Sequence, residues 1–335
     1  MKNIKQKTLM NDENYILPKK PARKINRIKK LKDYEVDMGD RGIYNTKNKL
    51  NDLTGREWTY FISSVMETDF AKDEDTYALW KYLQESVIET KYPTTGPESI
   101  SHNLRKLHPS PKPPQLMRDI IRFFTKPNQI VLDPFMGVGA TLLGASLLGD
   151  RSAVGIDIEK KYIDIYKEVS KENSLKEQIA ILNDARNILK IDEIKDRIFD
   201  FILTDPPYSD MLARKRTGGD RKDKGTFTED PRDLGNIDYQ SFLTELRVIL
   251  NDAIKLLKNK GYIAIFCKDV QPTKNYHNLL HADIVESITK IPHVYFKGYK
   301  IWFDKTINLY PYGYPFSYVS HQLHQFILIF RKEED

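Results

Sequence analysis

The chain has almost no cysteine and no long apolar run, and both absences exclude whole classes of protein. Its 335 residues contain one cysteine, Cys267, so an internal disulfide is impossible and a cysteine-based metal site is not expected. No apolar run approaches the roughly 20 residues needed to span a bilayer. The lysines at the N-terminus are not followed by the apolar core of a secretory signal. We therefore expect a cytoplasmic protein without a membrane segment and without a bound metal.

Positive charge is concentrated at one end of the chain. Residues 1–32 hold eleven Lys and Arg against two acids, a net of +9, whereas the whole chain carries +6, so the remainder carries about −3 (6 − 9). A basic arm of this kind is typical of contact with nucleic acid, and a solvated tail explains the same composition. We assign residues 1–50 to a basic, partly disordered arm.

Beyond residue 108 apolar runs alternate with amphipathic segments, as in an α/β fold. Short apolar runs predict parallel strands, and the segments between them predict helices in right-handed crossovers. The predicted strands are Ile130–Asp133, Ala153–Asp157, Ile179–Leu182, Phe199–Leu203 and Tyr262–Cys267. A long amphipathic helix is predicted over residues 237–258, ending at Gly261, and two later strands are predicted at 294–303 and 325–330.

The chain divides into three parts on these criteria. The basic arm is followed by a predicted helical extension over residues 51–107. Residues 108–335 are predicted to form the main α/β domain, with insertions at 209–238 and 295–320. The second insertion combines aromatic residues with lysines, a composition that suits base stacking beside phosphates, although a part of it is expected to be core.

The most informative stretch is Thr204–Tyr208, which follows the predicted strand Phe199–Leu203 with the sequence Thr-Asp-Pro-Pro-Tyr. Ligands of open α/β sheets bind where strands end, and two successive prolines stiffen the backbone there. The Asp205 carboxylate and the Pro206 carbonyl can each accept one N–H, and the Tyr208 ring can stack on a flat group. The stretch suits a planar group that carries an NH2, with an ordinary strand-end turn as the alternative.

Three other predicted strands also end at an acid, namely Asp133, Asp157 and Asp184, so four acids are expected in one crevice. The turn after Asp133 contains Gly137 and Gly139 but lacks the third glycine of a dinucleotide fingerprint. Asp157 follows the turn by about 20 residues, where an acid can hold ribose hydroxyls, and Asp184 can accept from an adenine amino group. These residues predict a nucleoside ligand without a pyrophosphate, and S-adenosylmethionine is such a ligand.

Two loops flank these motifs. His108–Leu116 contains four prolines in nine residues, and a stiff loop before a helix can place backbone N–H groups and Lys112 against an anion, with a plain linker as the alternative. The segment Met211–Asn236 is basic and suits a phosphate clamp or a closing lid, with a solvated loop as the alternative. Its basic residues are Arg214, Lys215, Arg216, Arg221, Lys222 and Lys224.

Together these motifs resemble the S-adenosylmethionine-dependent DNA amino-methyltransferases. The matching pieces are His108–Leu116, Asp133–Thr141, Gly155–Asp157, Asp184, Asp205–Tyr208, Tyr312–Pro315 and His324–Arg331. The resemblance implies a Rossmann-like methyltransferase fold, a mostly parallel sheet with an antiparallel C-terminal strand. It also implies S-adenosylmethionine as the cofactor and double-stranded DNA as the partner, with a cognate restriction endonuclease as a second candidate partner.

The resemblance assigns a role to each motif. The residues expected at the cofactor are His108, Pro109, Lys112, Pro113, Asp133, Pro134, Phe135, Gly137, Gly139, Thr141, Asp157, Ile158, Asp184 and Ala185. The residues expected at the target base are Asp205, Pro206, Pro207 and Tyr208. Many relatives with a loop like that at His108 place the target-base motif before the cofactor motif, whereas the cofactor motif comes first here, so motif order does not assign the target base.

The expected reaction is direct methyl transfer to the exocyclic amine of a flipped-out base, adenine N6 or cytosine N4. Cytosine C5 methylation needs a thiolate, and Cys267 is expected to be a buried structural thiol instead. The alternatives are methylation of an RNA guanine amino group, methylation of a glutamine side chain in a protein, and a non-catalytic DNA-binding subunit on the same scaffold.

Overall fold

The computed structural model describes residues 31–55, 58, 65–68, 100–209, 227–269, 279–304 and 324–334. The strands in these ranges are β1 Glu35–Asp37, β2 Ile43–Asn45, β3 Val65–Thr68, β4 Ile130–Asp133, β5 Ser152–Asp157, β6 Ile179–Leu182, β7 Phe199–Thr204, β8 Leu257–Cys267, β9 Val294–Asp304 and β10 His324–Lys332. The helices are α1 His102–Arg105, α2 Pro114–Phe124, α3 Ala140–Leu148, α4 Lys160–Glu172, α5 Tyr239–Lys255 and α6 Leu280–Ile288, with 3-10 turns at Gly39–Arg41, Ala185–Lys190 and Leu234–Asn236. Within the described ranges no helix is long and apolar enough to cross a bilayer.

The main sheet has eight strands in the order β3-β9-β10-β8-β7-β4-β5-β6. Strand β10 runs antiparallel to both of its neighbours, β8 and β9. The other pairings of this sheet are parallel. The predicted mostly parallel α/β fold with an antiparallel C-terminal strand is therefore confirmed.

Both faces of the sheet are covered, which explains why its central strands are apolar along their whole length. Successive strand residues point to opposite faces, so Val131 packs in one core cluster and Leu132 in the other. Phe201 and Ile202 repeat this alternation on β7. Residues of α2, α3 and α4 contribute to the first cluster, and residues of α5 and α6 contribute to the second. Polar side chains of the central strands are therefore concentrated at the strand ends.

Asp200 interrupts the otherwise apolar strand β7 near its amino-terminal end. Asp200 of β7 accepts a hydrogen bond from the backbone N–H of Ile130 at 2.9 Å. Its other carboxylate oxygen pairs with Lys258 Nζ at 2.6 Å. Asp200 thus links three adjacent strands at their amino-terminal edge, a structural role that accounts for its position.

Helix α5 is shorter at both ends than the predicted 237–258. Asp238 caps its start by accepting from two backbone N–H groups of the first turn, at 3.0 and 3.1 Å. The prediction that the helix ends at Gly261 was wrong, because β8 already begins at Leu257 and Gly261 lies in an irregular part of that strand. Lys332 donates to the carbonyl of Ile254 in the last turn of the helix at 3.1 Å and to that of Leu257 at the start of β8 at 2.8 Å, so a distant lysine rather than a glycine satisfies these carbonyls.

The region before the main domain is not purely helical. Residues 35–45 contain an antiparallel hairpin, and β3 extends the main sheet by pairing parallel to β9. The helical prediction for residues 51–107 was wrong for β3, because pairing with a sheet edge decides the conformation of so short a segment. Residues 1–30 of the predicted arm and residues 69–99 lie outside the described residues.

The segment around residue 52 is docked on the main domain. Arg151 pairs with Asp52 at 3.1 Å, and Asn51 is buried and donates to the backbone carbonyl of Phe123. The boundary predicted at residue 50 therefore falls within a segment that is already in contact with the α/β body.

Candidate functional site

Four adjacent parallel strands end beside the four acids that the sequence singled out. In sheet order these strands are β7, β4, β5 and β6, and Asp205, Asp133, Asp157 and Asp184 stand at or within two residues of their carboxyl ends. Because parallel strands end at a common edge, one crevice is bordered by all four residues.

The turn after β4 is tight and depends on two glycines. Gly139 N–H donates to the carbonyl of Met136 at 2.8 Å. Gly137 and Gly139 have φ angles of +49° and +76°, which other residues adopt at a cost. A Cβ on Gly139 would also lie 2.8 Å from Tyr166 Cγ, and a Cβ on Gly137 would lie 3.0 Å from His108 Nε2. The turn therefore requires glycine at both positions, because of its backbone conformation and because Tyr166 and His108 pack directly against it.

Asp157 fixes this turn from the neighbouring strand. One carboxylate oxygen accepts from Gly137 N–H and the other from Glu159 N–H, both at 2.8 Å. Burial, with smaller contributions from the charges of Asp233 and Asp133, raises the pKa of Asp157 to about 7. Each oxygen retains acceptor capacity beyond these bonds, so the carboxylate can also receive hydroxyl groups.

Asp133 connects the glycine turn to the target-base motif. It is buried, and Oδ1 accepts from Phe135 N–H at 3.1 Å and from the Thr204 hydroxyl at 2.7 Å. Burial raises the pKa of Asp133 to about 6. Pro134 and Thr141 are also buried, whereas Phe135 is partly exposed. Asp133 therefore lies beneath the turn and positions it. Through Thr204 it is also linked to Asp205, the next residue in the chain.

Asp184 is held at the end of the crevice near β6. Its Oδ1 accepts from Arg186 N–H at 3.0 Å, and Oδ2 pairs with Arg186 Nη1 at 3.2 Å. Arg186 also pairs with Glu245 at 2.6 Å. The neighbouring Ala185 is buried, and Ile158 at the end of β5 is partly exposed.

The proline-rich loop closes against the glycine turn through His108. The His108 ring lies 4.7 Å from that of Tyr162 and 5.2 Å from that of Phe227, centroid to centroid. Its Nδ1 accepts from Ser110 N–H at 3.2 Å. Pro109 beside it is partly exposed, so the loop forms one wall of the crevice.

The same loop reaches the target-base motif through Lys112. Its ammonium pairs with Asp205 Oδ2, while the Tyr208 hydroxyl donates to Asp205 Oδ1. The Lys112 side chain is 3% exposed and that of Asp205 17%. Lys112 was predicted at the cofactor, and the structure pairs it with Asp205, a residue that was predicted at the target base. Pro113, next in the chain, is buried at the start of α2.

The remaining residues of the motif surround Asp205. Burial raises the pKa of the Tyr208 hydroxyl well above its ordinary value. Pro206 is buried and Pro207 is partly exposed. Cys267 is fully buried, and burial raises the pKa of its thiol well above the ordinary value. The prediction that Cys267 is buried is confirmed, and burial disfavours the thiolate form that a nucleophile needs.

Several residues of the site were not predicted from the sequence. Thr204 bonds to Asp133, Tyr162 and Phe227 pack around His108, and Asp233 is a buried acid close to Asp157. The only local signal was for Asp233, because an acid two residues before a glycine is common in turns. The predicted DNA-binding residues Arg214, Lys215, Arg216, Arg221, Lys222 and Lys224 lie outside the described residues. Among the described residues no group of three or more His, Cys, Asp or Glu is placed to hold a metal ion.

The chain resembles known proteins over limited stretches. It is 42% identical over 79 residues to the type II methyltransferase M.HinfI of Haemophilus influenzae, which is 23% of this chain and 22% of that protein. It is 26% identical over 184 residues to the tRNA (guanine(10)-N2)-dimethyltransferase of Methanothermobacter thermautotrophicus, which is 52% of each. The chain thus spans about a fifth of the first relative and about half of the second. The solved structure of TrmN from Thermus thermophilus aligns with a TM-score of 0.45 at 18% identity, over 69% of this chain and 53% of that one.

A protein-family model described as DNA methylase matches residues 4–168. That range contains the His108 loop, the glycine turn and Asp157, all of which the structure assembles at one sheet edge. The match confirms the resemblance stated from the sequence, and with it S-adenosylmethionine as the expected cofactor. By these motifs and this match, the chain is similar to DNA methylases over residues 4–168, just under half of its length, and to type II methyltransferases over shorter stretches.

Proposed function

We propose that this protein transfers a methyl group from S-adenosylmethionine to the exocyclic amine of a flipped-out base in duplex DNA, adenine N6 or cytosine N4. The observation that carries the proposal is the position of Asp205. Its carboxylate is oriented by Lys112 and Tyr208, and Thr204 bonds its strand end directly to Asp133 under the glycine turn. An amine acceptor and a nucleoside-binding turn are therefore joined by a single hydrogen bond across adjacent strands.

The residues at the turn suit this cofactor. The two glycines allow a tight turn that packs directly against Tyr166 and His108, and Asp157 next to them has acceptor capacity for hydroxyl groups. Asp184 would serve the adenine and Asp157 the ribose. S-adenosylmethionine supplies, when bound, an electrophilic methyl group on a sulfonium.

The chain's own contribution to the reaction is to present and polarise the amine. N–H bonds from the target amine to Asp205 and to the Pro206 carbonyl would localise its lone pair, which is otherwise delocalised into the base. The same acceptors stabilise the positive charge that grows on the nitrogen in the transition state. Positioning of the two reactants supplies much of the remainder, up to ~7–11 kcal/mol in the most favourable cases.

The target amine is not accessible inside a stacked duplex, so the base has to leave the helix. The Tyr208 ring, partly buried beside Asp205, offers a stacking surface worth about 1–3 kcal/mol per base. The basic residues between Arg214 and Lys224 would contact the phosphates, which position the duplex without reading its sequence. A cognate restriction endonuclease is the partner that such an enzyme would protect DNA against.

A second candidate is methylation of a guanine amino group in RNA. The relative from Methanothermobacter thermautotrophicus is named as a tRNA guanine-N2 enzyme and is similar over half of this chain. A guanine amine satisfies the same two acceptors at Asp205 and Pro206. The two candidates differ in the nucleic acid, not in the chemistry of the site.

The test is transfer of a labelled methyl group to three substrates: duplex DNA of random sequence, transfer RNA and protein. After digestion to nucleosides we expect label in N6-methyladenine or N4-methylcytosine, and no label with the Asp205→Ala variant. Label in N2-methylguanine of the RNA would select the second candidate. Cofactor binding without transfer to any substrate would contradict the enzymatic proposal and favour a non-catalytic DNA-binding subunit.

A further inference from the structure

Arg105, the last residue of α1, is a buried cation just before the proline-rich loop. Arg105 is 3% exposed, and its Nη2 donates to the backbone carbonyl of Lys112. Burial lowers the pKa of Arg105 to about 10, so the guanidinium stays charged at neutral pH. An apolar side chain of similar size would fill this place at a lower cost in desolvation. The guanidinium is therefore best explained by the hydrogen bond that it makes.

The Lys112 carbonyl lies outside the hydrogen bonding of α2. Lys112 precedes Pro113, and a residue before proline is restricted to extended conformations. The first turn of α2 uses the carbonyl of Pro113, which accepts from Met117 N–H at 3.3 Å. Lys112 is 3% exposed, and a buried carbonyl needs a donor. Arg105, seven positions earlier in the chain, supplies that donor.

The side chain of Lys112 leads from this anchored backbone to the target-base motif. Its ammonium pairs with Asp205 Oδ2 and lies 5.7 Å from the centre of the Phe266 ring on β8. A lysine stem is long and flexible, so the position of its ammonium depends on where its backbone is held. Arg105, Lys112 and Asp205 thus form a chain of contacts from α1 to the proposed acceptor of the target amine.

Helix α1 is itself attached to the α/β body. Ser101, which precedes the helix, donates from its hydroxyl to Glu172 Oε2 at 2.7 Å and accepts from Asn173 Nδ2 at 2.8 Å. Both partners lie at the end of α4. Arg105 therefore holds Lys112 from a support that lies outside the target-base motif.

We propose that Arg105 is a positioning residue for methyl transfer, whose guanidinium holds the Lys112 backbone so that the Lys112 ammonium reaches and orients the Asp205 carboxylate. The inference rests on the proposed function in the role of Asp205 as the acceptor of the target amine. The link between Arg105 and Lys112 is measurable without any substrate.

The first test measures how well Lys112 is protected in the folded, full-length protein. The protein is acetylated with acetic anhydride, and the labelling of each lysine is followed by mass spectrometry. Lys332 is the internal reference, because it is 7% exposed and donates to two backbone carbonyls in another part of the domain. In Arg105→Met we expect Lys112 to be labelled about tenfold faster, while the rate at Lys332 stays unchanged.

Arg151→Met is the matched control. Arg151 is also a guanidinium that is 3% exposed, but it pairs with Asp52 and Asp150 and donates to the carbonyl of Thr125. Its loss should leave the labelling of Lys112 unchanged. Faster labelling of Lys112 in both variants would show that the loss of any buried guanidinium loosens the loop, and would overturn the assignment to Arg105.

A second test asks whether Arg105 acts on the reaction through Lys112. Methyl transfer to DNA is measured for Arg105→Met, Lys112→Met and the double variant. Arg105→Met should lower kcat about fivefold without changing the Kd of S-adenosylhomocysteine. The double variant should be no slower than Lys112→Met alone, because Arg105 has nothing left to position. Two reductions that multiply in the double variant would mean that Arg105 acts by another route, which contradicts the proposal.

The outcomes separate this inference from the proposed function. If the wild type transfers no methyl group to any substrate, the proposed function fails, and the labelling still decides whether Arg105 holds Lys112. If Lys112 stays protected in Arg105→Met, or if Lys332 is exposed to the same extent, the assignment is wrong. If Arg105→Met does not fold, Arg105→Lys replaces it, since a lysine ends one atom short of Nη2. Lys112 should then be labelled faster than in the wild type, and equal protection would contradict the proposal.

Discussion

The cofactor half of the site and the target-base half hold their carboxylates in different ways. In the cofactor half, comprising the glycine turn, Asp157 and Asp184, both oxygens of Asp157 accept from backbone N–H groups, and Asp184 accepts from one backbone N–H and from the Arg186 side chain. In the target-base half, comprising Asp205–Tyr208 and Lys112, both oxygens of Asp205 are occupied by side chains. Backbone donors are fixed by the fold, whereas side-chain donors can be exchanged.

This difference matches what each half has to do. A cofactor that is used in every cycle is best met by a prearranged site, because ordering the site on binding lowers the affinity. A base that enters from a duplex must take over acceptors that have been satisfied until then. Lys112 and Tyr208 pair with Asp205 in this structure, so in the proposed reaction one of them would give up its oxygen to the amine of the base.

Asp205→Asn is expected to separate the functions of the two halves most clearly. Asp205→Asn should lower kcat for methyl transfer by about 10²–10³-fold, since it removes the charge that stabilises the developing cation. S-adenosylhomocysteine should still bind within about twofold of the wild type. The control is Asp200→Asn on the same strand, at the opposite sheet edge, which should leave kcat unchanged. Loss of cofactor affinity in Asp205→Asn would show that the two halves are not separate.

Substitution of Gly139 tests how tightly the glycine turn of the cofactor half is packed. Gly139→Ala should destabilise the protein by about 3 kcal/mol in urea unfolding, because the new Cβ would overlap the Tyr166 ring and φ is positive. Gly149→Ala is matched, since its φ is +80° but nothing lies within 4 Å of the added Cβ, and it should cost only about 1 kcal/mol. Equal costs would mean that the contact with Tyr166 is not tight.

Lys112 decides which half the proline-rich loop serves. Lys112→Met should reduce kcat about tenfold, because Asp205 loses its orienting partner, while the Kd of S-adenosylhomocysteine stays the same. Lys106→Met is the control, as Lys106 is exposed in the same region and bonds to Asn103. A weaker cofactor Kd with normal kcat would return Lys112 to the cofactor half, as the sequence predicted.

The smallest effect concerns pH. The folded-state pKa values of Asp133 and Asp157 are raised by burial to about 6 and about 7, above the ~3.9 of an unfolded aspartate. Between about pH 4 and pH 7 the native protein therefore binds more protons than the unfolded chain. Its stability should fall as pH rises through this window, by about 1 kcal/mol or more. Urea unfolding of the ligand-free protein measures this, and Asp157→Asn should flatten the profile. A rise in stability over the same window would contradict the assignment.

The elements of the main domain were predictable because each carries a local signal. The strands between Ile130 and Leu203 are mostly apolar on both faces. Gly149 ends helix α3 with a positive φ, as its position after the apolar run of that helix predicts. The end of α5 was not predictable, because Lys332, about 75 residues later, supplies the donors that complete it.

The site shows the same division. The acids at the strand ends were visible because a strand's end is a local property and a common sheet edge follows from the fold class. Lys112 and Asp205 lie 93 positions apart in the sequence, and no local sequence pattern at either residue indicates that they pair. Asp233 was hidden for the same reason, since it reaches the site only through the packing of residues 227–236 against His108, Tyr162 and Arg186.

The adjacency of β4 and β7 also makes the order of the motifs along the chain irrelevant to the chemistry. Asp133 and Thr204 meet because two strands lie side by side, and the same meeting would occur if the chain were circularly permuted so that β7 came first. A chain with the Asp205 motif before the glycine turn could then form the same geometry, provided that its connections reach between the same strand ends. A permuted version of this chain, opened in a loop away from the crevice, should assemble the same site.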